Sequence, residues 1–447
     1  MLEIFLHKIS FISETICIFV ANLDVYIIME KELTKRLVVE YQEFVNGVKF
    51  IERDIKVDYK GNNVFVGLRR SGKSYLLYQS IHTMLKSGHS IEEILFFNFE
   101  DDRIGELKVN DLDTIKLAYE EIYETKPIFF LDEIQLVEHW EKFARRLADT
   151  GYQVFITGSN AKMLSNEIAT TLGGRYYVTE VFPFSFCEYL KIKDVKVPKN
   201  WQHTPSTQLV RNFNPYFISG GLPEVIGKDD IFKREWLSSL FNKIYFSDLV
   251  LRHSVRNSKA LKILIRKMAE SVMQPATYNR MASVVSASSY KVKPDTVAEY
   301  CQYLIDSFLV FPVENFAAKL QDKVSVRKYY FADNGFITLF VNDATALLME
   351  NLVAVILRKK YPGELMYFST NVEVDFYLPE QKFSFQVSYS IKDDVTYKRE
   401  VKALVSLNKY IPQNKMFIIT NDEEGIIEED GCKIYVVPIW KWCLEME

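Results

Sequence analysis

Two short stretches of this 447-residue chain carry residue types at spacings that could do chemistry. The first is Gly67-Leu68-Arg69-Arg70-Ser71-Gly72-Lys73-Ser74: a glycine, four residues, then Gly-Lys-Ser. The framing glycines let the backbone turn tightly and aim several N–H groups at one anion. A helix opening at Lys73 would point the positive end of its dipole at the same anion. In a P-loop of this form the lysine charges the β/γ-phosphates of a nucleotide and the serine hydroxyl binds Mg²⁺. The second stretch is Asp132-Glu133, directly after the apolar run Ile128-Phe129-Phe130-Leu131. Carboxylates at the tip of a buried strand suit Asp132 to hold Mg²⁺ through water and Glu133 to orient or deprotonate an attacking water. Together they imply ATP and Mg²⁺ as cofactors and hydrolysis as the reaction. The bland alternatives are a chance glycine turn and a solvated acidic turn; the order of the two motifs and their strand contexts oppose both.

Three further residues are candidates with open alternatives. Ser159 and Asn160 follow Gln153–Thr157, where a polar group could sense the γ-phosphate or merely cap the helix starting at Ala161. Arg175, after Gly173-Gly174, could stabilise transition-state charge in its own chain or a neighbour's, or form a structural ion pair.

The surrounding pattern alternates strand and helix, which predicts a doubly wound parallel sheet with helices on both faces. The apolar spacing of Leu33, Leu37, Val38, Tyr41, Phe44 and Val45 predicts a helix from Glu30 to about Val45. Strands are expected at Asn63–Val66, Ile94–Phe99, Ile128–Leu131 and Gln153–Thr157. Helices are expected at Lys73–Leu85, Asp111–Glu124 and Val137–Asp149. Hydrophobic residues are 48% and charged residues 26%, ordinary for a globular protein, and the length implies several domains. Fifty-five Lys and Arg against 59 Asp and Glu give no global support to nucleic-acid binding. Five scattered cysteines fit reduced thiols in a cytoplasmic protein better than a disulfide framework. Phe11–Ile28 is interrupted by Glu14, Asn22 and Asp24, a poor membrane span. Residues 1–28 are expected to be an upstream extension, with Met29 the natural start.

In one order, the chain contains the P-loop, Asn98-Phe99-Glu100-Asp101, Leu131-Asp132-Glu133-Ile134-Gln135, Thr157-Gly158-Ser159-Asn160, Gly174-Arg175 and Pro183-Phe184-Ser185-Phe186. From Met29 onward it thereby resembles the prokaryotic AAA+-type ATP-binding proteins that carry a C-terminal domain of uncharacterised function. The resemblance implies an AAA+-like P-loop domain at 29–200 and a helical lid at 201–258, the latter containing Gly220-Gly221-Leu222-Pro223-Glu224. It further implies a winged helix at 259–318 and a C-terminal α/β domain of PD-(D/E)xK nuclease-like fold at 319–447.

Both C-terminal modules depart from the pattern their activities need. The last helix predicted in the winged-helix stretch presents Asp295, Glu299, Gln302 and Asp306 on the face opposite Val297, Tyr300, Cys301 and Leu304. Groove-reading helices need Lys or Arg, and only Lys291 and Lys293 precede this one, so a structural or protein-contacting role is preferred. The nuclease-like constellation is Glu350 on a helix, Asp375 on a strand and Gln386-Val387-Ser388 on the next. Ser388 stands where that metal site has its lysine, and a short neutral side chain cannot help activate water. Lys398 and Lys402 are the candidates to replace it from the following helix. The expectation is therefore a degenerate site without cleavage. Cys432–Trp442 reads as a core strand with packing aromatics. The function expected is ATP hydrolysis that moves C-terminal modules engaging an unknown protein or nucleic-acid partner, without a membrane and with a homo-oligomer open. The alternatives are a nucleotide-gated binding switch with little turnover, or an ATP-dependent nuclease or DNA-binding protein.

Overall fold

The computed structural model describes residues 31–105, 107–164, 166–201, 207–288 and 290–446. The expected extension at 1–28 and the start at Met29 lie outside the described residues. The chain forms two compact units, one of 31–66 with 73–180 and one of 67–72 with 181–446.

In the first unit helix α1 spans 31–47. It is followed by β1 (Asn62–Val66), α2 (Lys73–Lys86), β2 (Ile94–Asn98), α3 (Leu112–Glu120), β3 (Ile128–Asp132), α4 (Trp140–Asp149), β4 (Val154–Gly158), α5 (Asn166–Leu172) and β5 (Tyr176–Glu180). The strands form one all-parallel sheet in the order β2-β3-β4-β1-β5. Parallel sheets are covered on both faces, which is why β3 reads as an unbroken apolar run and is buried at every position. Phe130 and Phe155 stack across β3 and β4 with ring centroids 4.7 Å apart. Burying each such ring contributes on the order of 2 kcal/mol. Of the α1 stripe, Leu37, Val38, Tyr41 and Val45 are buried, whereas Phe44 sits at its exposed edge against the Tyr78 ring. Gln42 fastens α1 to the sheet by donating to the Ile94 carbonyl at 2.8 Å. The helix expected from Val137 begins at Trp140, because Ile134–Leu136 first makes a 3₁₀ turn after β3.

The second unit starts, after loop 67–72, with α6 (Phe186–Ile192), α7 (Thr207–Ser219) and α8 (Asp230–Lys243), the last running on into a π-helical stretch at Ile244–Leu251. Three helices follow, α9 (Ser258–Glu270), α10 (Tyr278–Ser286, after the short strand β6, Ala276–Thr277) and α11 (Pro294–Asp306). Then come β7 (Val310–Asn315), α12 (Leu320–Ser325), β8 (Val326–Phe331), α13 (Asn334–Ile337), α14 (Thr345–Lys360), β9 (Met366–Ser369), β10 (Glu373–Leu378) and β11 (Phe383–Val387). The chain ends with α15 (Asp394–Tyr410), β12 (Lys415–Thr420), β13 (Gly425–Glu429), β14 (Cys432–Pro438) and α16 (Ile439–Met446). A nine-stranded sheet runs β13-β14-β12-β11-β10-β9-β7-β8-β6, so the antiparallel β7–β8 pair continues through a parallel β7–β9 contact into the C-terminal strands.

Two sequence readings change here. Asp306, placed on the solvent face of α11, is buried and accepts from the Gln302 amide at 2.8 Å; Asp295, Glu299 and Gln302 are exposed as expected. The terminal aromatics leave the strand at Pro438, and Trp440 and Trp442 are buried on α16. The Gly220-Gly221 pair is more than a helix stop. A Cβ on Gly221 would lie 2.0 Å from the Phe184 carbonyl oxygen, and Phe184 N–H donates to the Gly221 carbonyl at 2.7 Å. Asp333 joins them by accepting from the N–H groups of Gly221 (2.7 Å) and Gly335 (2.8 Å). The neighbouring Ser185 and Glu188 form a reciprocal cap at the start of α6. Motifs far apart in the chain thus meet in one backbone clamp. Among the described residues no helix is long and apolar enough to cross a membrane. Among the described residues Cys187, Cys301, Cys432 and Cys443 form no disulfide with one another.

Candidate active site

In the first unit the polar groups gather at the C-terminal edge of the parallel sheet. Register sets Asn98 beside Asp132 at the ends of β2 and β3, and Val66 beside Gly158 at the ends of β1 and β4. Lys73 and Ser74 open α2, which follows β1 through the glycine-framed loop. Asp132 is buried and accepts through one oxygen from the hydroxyls of Thr157 (2.5 Å) and Ser74 (3.1 Å). Glu133 is the next residue, held at φ 57° and ψ 38°, a left-handed conformation uncommon outside glycine. Its N–H donates to Thr157 Oγ1 at 2.8 Å, so that one threonine braces both acids. Its carboxylate accepts from Gln135 Nε2 (2.5 Å) and Ser159 Oγ (3.0 Å), and its other oxygen lies 3.6 Å from Lys73 Nζ. Lys73 is 3% exposed, so this ammonium and its partners are largely shielded from water.

Burial, and then the neighbouring Glu133 charge, push the Asp132 carboxyl up from 3.8 to about 7; Thr157, Ser74 and Lys73 pull the other way without offsetting them. Two acids side by side in a dry site call for a cation. The residues fit Mg²⁺ in kind, since Ser74 and Asp132 are hard oxygen donors already within hydrogen-bond reach of each other.

The remaining candidates fall elsewhere. Asn160 accepts through its side chain from the Lys162 N–H, the capping alternative. Arg175 Nε lies 2.6 Å from Asp149 Oδ1, in a half-exposed ion pair. Gln135 and Thr157 lie within motifs that assign them no role: Thr157 acts on acids at the tip of another strand, and Gln135 reaches its near neighbour Glu133 only through the turn that follows β3.

Loop 67–72 groups with the second unit. Gly67 (φ 149°), Arg70 (φ 67°) and Gly72 (φ 96°) have positive φ, and a Cβ on Gly67 would lie 2.4 Å from the Val181 carbonyl oxygen. Arg69 makes a two-point ion pair with Asp248 at 3.0 and 3.3 Å, and Arg252 joins the same carboxylate at 3.0 Å. Asp248 is buried in the π-helical stretch, a kind of distortion that is frequent at functional sites. Arg70 meets Glu224 of the Gly-Gly-Leu-Pro-Glu segment at 3.3 Å. No sequence spacing pointed to Asp248 or Arg252.

Of the residues expected to form a nuclease-like site, Glu350, Asp375 and Gln386 converge and Ser388 does not. Glu350, Glu373, Asp375, Gln386, Arg399 and Glu400 line one cavity of about 750 Å³. Gln386 accepts from the Asp375 N–H at 2.8 Å and donates to Glu400 at 2.8 Å. Ser388 lies past the end of β11 and donates to the Ser390 carbonyl at 3.1 Å. Lys402 lines the cavity, and Lys398 is exposed. Burial, reinforced by Asp375, raises the Glu350 carboxyl to about 8.

Residues 60–190 match the model of the AAA domain, and residues 210–345 match a domain of unknown function, DUF8612. With the five-stranded parallel sheet, the match makes residues 60–190 a P-loop α/β domain of AAA type. The chain is 32% identical over 430 residues to the uncharacterized protein MJ1544 of Methanocaldococcus jannaschii, covering 93% of this chain and 96% of that protein. It therefore belongs to the family of that archaeal protein. An uncharacterized protein of Haemophilus influenzae is 29% identical over 388 residues, 84% of this chain and 93% of its own length. Among solved structures, the Walker-type ATPase of Pyrococcus abyssi aligns with 62% of this chain and 90% of its own at 14% identity and a TM-score of 0.41. The Aeropyrum pernix ORC1 protein in complex with DNA aligns with 71% of this chain and 93% of its own at 13% identity and a TM-score of 0.31.

Proposed function

We propose that the protein binds ATP with Mg²⁺ and hydrolyses it, using the cycle to move its C-terminal modules against a protein or nucleic-acid partner. The observation that carries this reading is the buried set in which Ser74 and Thr157 hold Asp132 while Lys73, Gln135 and Ser159 hold Glu133. In it the loop amides and Lys73 bind the phosphates, and Ser74 and Asp132 hold the Mg²⁺, which supplies charge neutralisation. Glu133, fixed in orientation by Gln135 and Ser159, positions the attacking water and takes its proton. The Arg69–Asp248 and Arg70–Glu224 pairs support coupling, since they tie the phosphate loop to the segment read as a helical lid. Residues 259–318, with α9 to α11 and β7, are read as a winged helix that contacts protein, and residues 319–447 as a nuclease-like fold without cleavage.

Multiple-turnover ATP hydrolysis tests this. Lys73→Ala should abolish turnover and weaken nucleotide binding, whereas Glu133→Gln should bind ATP and hydrolyse it at under a hundredth of the wild-type rate. Normal turnover by both variants would refute it. A second reading, a switch with little turnover, is favoured by the Arg175–Asp149 pair, which occupies the guanidinium that fast phosphoryl transfer would use. A single turnover per binding event would select that reading.

A further inference from the structure

The carboxylates Glu350, Glu373 and Asp375 that line the cavity share a buried partner that no motif singled out. Lys328, on β8, is 1% exposed. Its ammonium lies 2.7 Å from Glu373 Oε1, 3.6 Å from Glu350 Oε1 and 3.9 Å from Asp375 Oδ1, with the Tyr367 ring 5.3 Å away. These carboxylates include the helix acid and the strand acid that a PD-(D/E)xK site would use for a divalent ion. The oxygens are otherwise engaged as well: Tyr330 donates to Glu350 at 2.6 Å, and Val387 N–H donates to Asp375 at 2.8 Å. A divalent cation needs several oxygens converging at about 2.0 to 2.6 Å on a common point. Here an ammonium that cannot reach water stands between those oxygens, and its charge repels a second cation. Among the described residues no group of three or more His, Cys, Asp or Glu side chains is placed to hold a metal ion. The residues therefore do not fit the metal that the nuclease-like pattern implies.

We infer that Lys328 is the resident cation of this cluster, occupying by a covalent side chain the place that a divalent metal takes in a cleaving site. Three features agree. The position that would carry the activating lysine is Ser388, turned to a backbone carbonyl. The second-strand acid is replaced by Gln386, whose amide is committed to Asp375 and Glu400. A buried lysine without partners would be costly, so the carboxylates and Lys328 hold each other in the core. The cavity then keeps its shape without metal, free to bind a partner with no cleavage attached.

The inference rests on none of the P-loop residues, so the ATPase reading can fail without it, and the reverse. The test measures Mn²⁺ binding by electron paramagnetic resonance on the full chain carrying Asp132→Asn, which removes the carboxylate ligand of the metal site expected at the P-loop. This protein should show no Mn²⁺ site sensitive to Asp375→Asn at millimolar metal. Lys328→Met opens the place, and should lower Tm and bind Mn²⁺ at least tenfold more tightly, with Tm recovering as metal is added; Asp375→Asn should cancel that rescue. Mn²⁺ binding with Lys328 present that Asp375→Asn removes would overturn the inference. So would a folded Lys328→Met variant that Mn²⁺ does not stabilise, or metal-dependent DNA cleavage lost in that variant. Should Lys328→Met not fold, the first measurement alone still decides.

Discussion

Replacing Asp132 by Asn should stabilise this protein while destroying its activity, and the gain should depend on pH in a way that identifies its source. Asp132 sits buried beside Glu133, which raises its carboxyl from 3.8 to about 7. A rise of about 3 units corresponds to about 4 kcal/mol, the ceiling on what ionising this group costs the folded state. The sign follows from proton counting. Between pH 3.8 and 7 the folded state keeps a proton that the unfolded state has released, so stability from this group falls as pH rises through that window. Above about 7 the loss is complete, and below 3.8 it is absent. Asparagine carries no charge at any pH, and its carbonyl can still accept from Thr157 and Ser74. Relaxation should leave a gain of about 1–3 kcal/mol at pH 8, which for a unit of this size is several degrees in Tm. Thermal unfolding of both proteins in EDTA from pH 4 to 8 should show the gap closing towards the acid end, with ATP turnover lost throughout. Mg²⁺ with nucleotide should stabilise wild type and not the variant. An Asn variant less stable than wild type at pH 8, or a gap that does not change with pH, would refute the buried-pair account.

Other substitutions probe separate links. Thr157→Val keeps the shape but strips one hydroxyl from two acids, leaving the buried Glu133 N–H without its acceptor; it should cost about 1–3 kcal/mol by urea unfolding and cut turnover at least tenfold. Gly221→Ala drives a methyl onto the Phe184 carbonyl and should destabilise the second unit by about 1–3 kcal/mol, read as a shift in its own unfolding transition. Arg175→Ala removes a half-exposed pair and should cost under about 1 kcal/mol in stability. A fall in kcat near a thousandfold there would mean the guanidinium leaves Asp149 for the phosphate. Asp248→Asn should leave the loop sequence intact but weaken nucleotide binding, measured by fluorescent-nucleotide titration, if the Arg69 pair sets the loop's position.

The parts of the site legible in advance were those whose function is local in the chain. Gly67, Gly72, Lys73 and Ser74 act through a turn and a helix start, and Asp132-Glu133 through the tip of one strand, so spacing alone reports them. The apolar run of β3 announced its own burial for the same reason. Roles that depend on a partner elsewhere stayed hidden. Thr157 bridges two acids 24 and 25 residues away, and Asp248 reaches Arg69 across 179 residues of chain. Asp306 looked like solvent surface because helical phase says which way a side chain points, not what covers it.

By itself, then, the sequence determined the glycine-framed loop, the acid pair and the parallel-sheet alternation. All of these follow from residue type and short-range periodicity. Only the tertiary structure decided that Thr157 and Gln135 brace the acids, that Asp248 and Glu224 hold the loop arginines, and that Lys328 fills the carboxylate cluster. Lys328 comes from a strand that precedes α14, whereas the acids come from α14 and β10. Their meeting depends on strand order in the nine-stranded sheet, and strand order is set by long-range packing that leaves no periodicity in the chain.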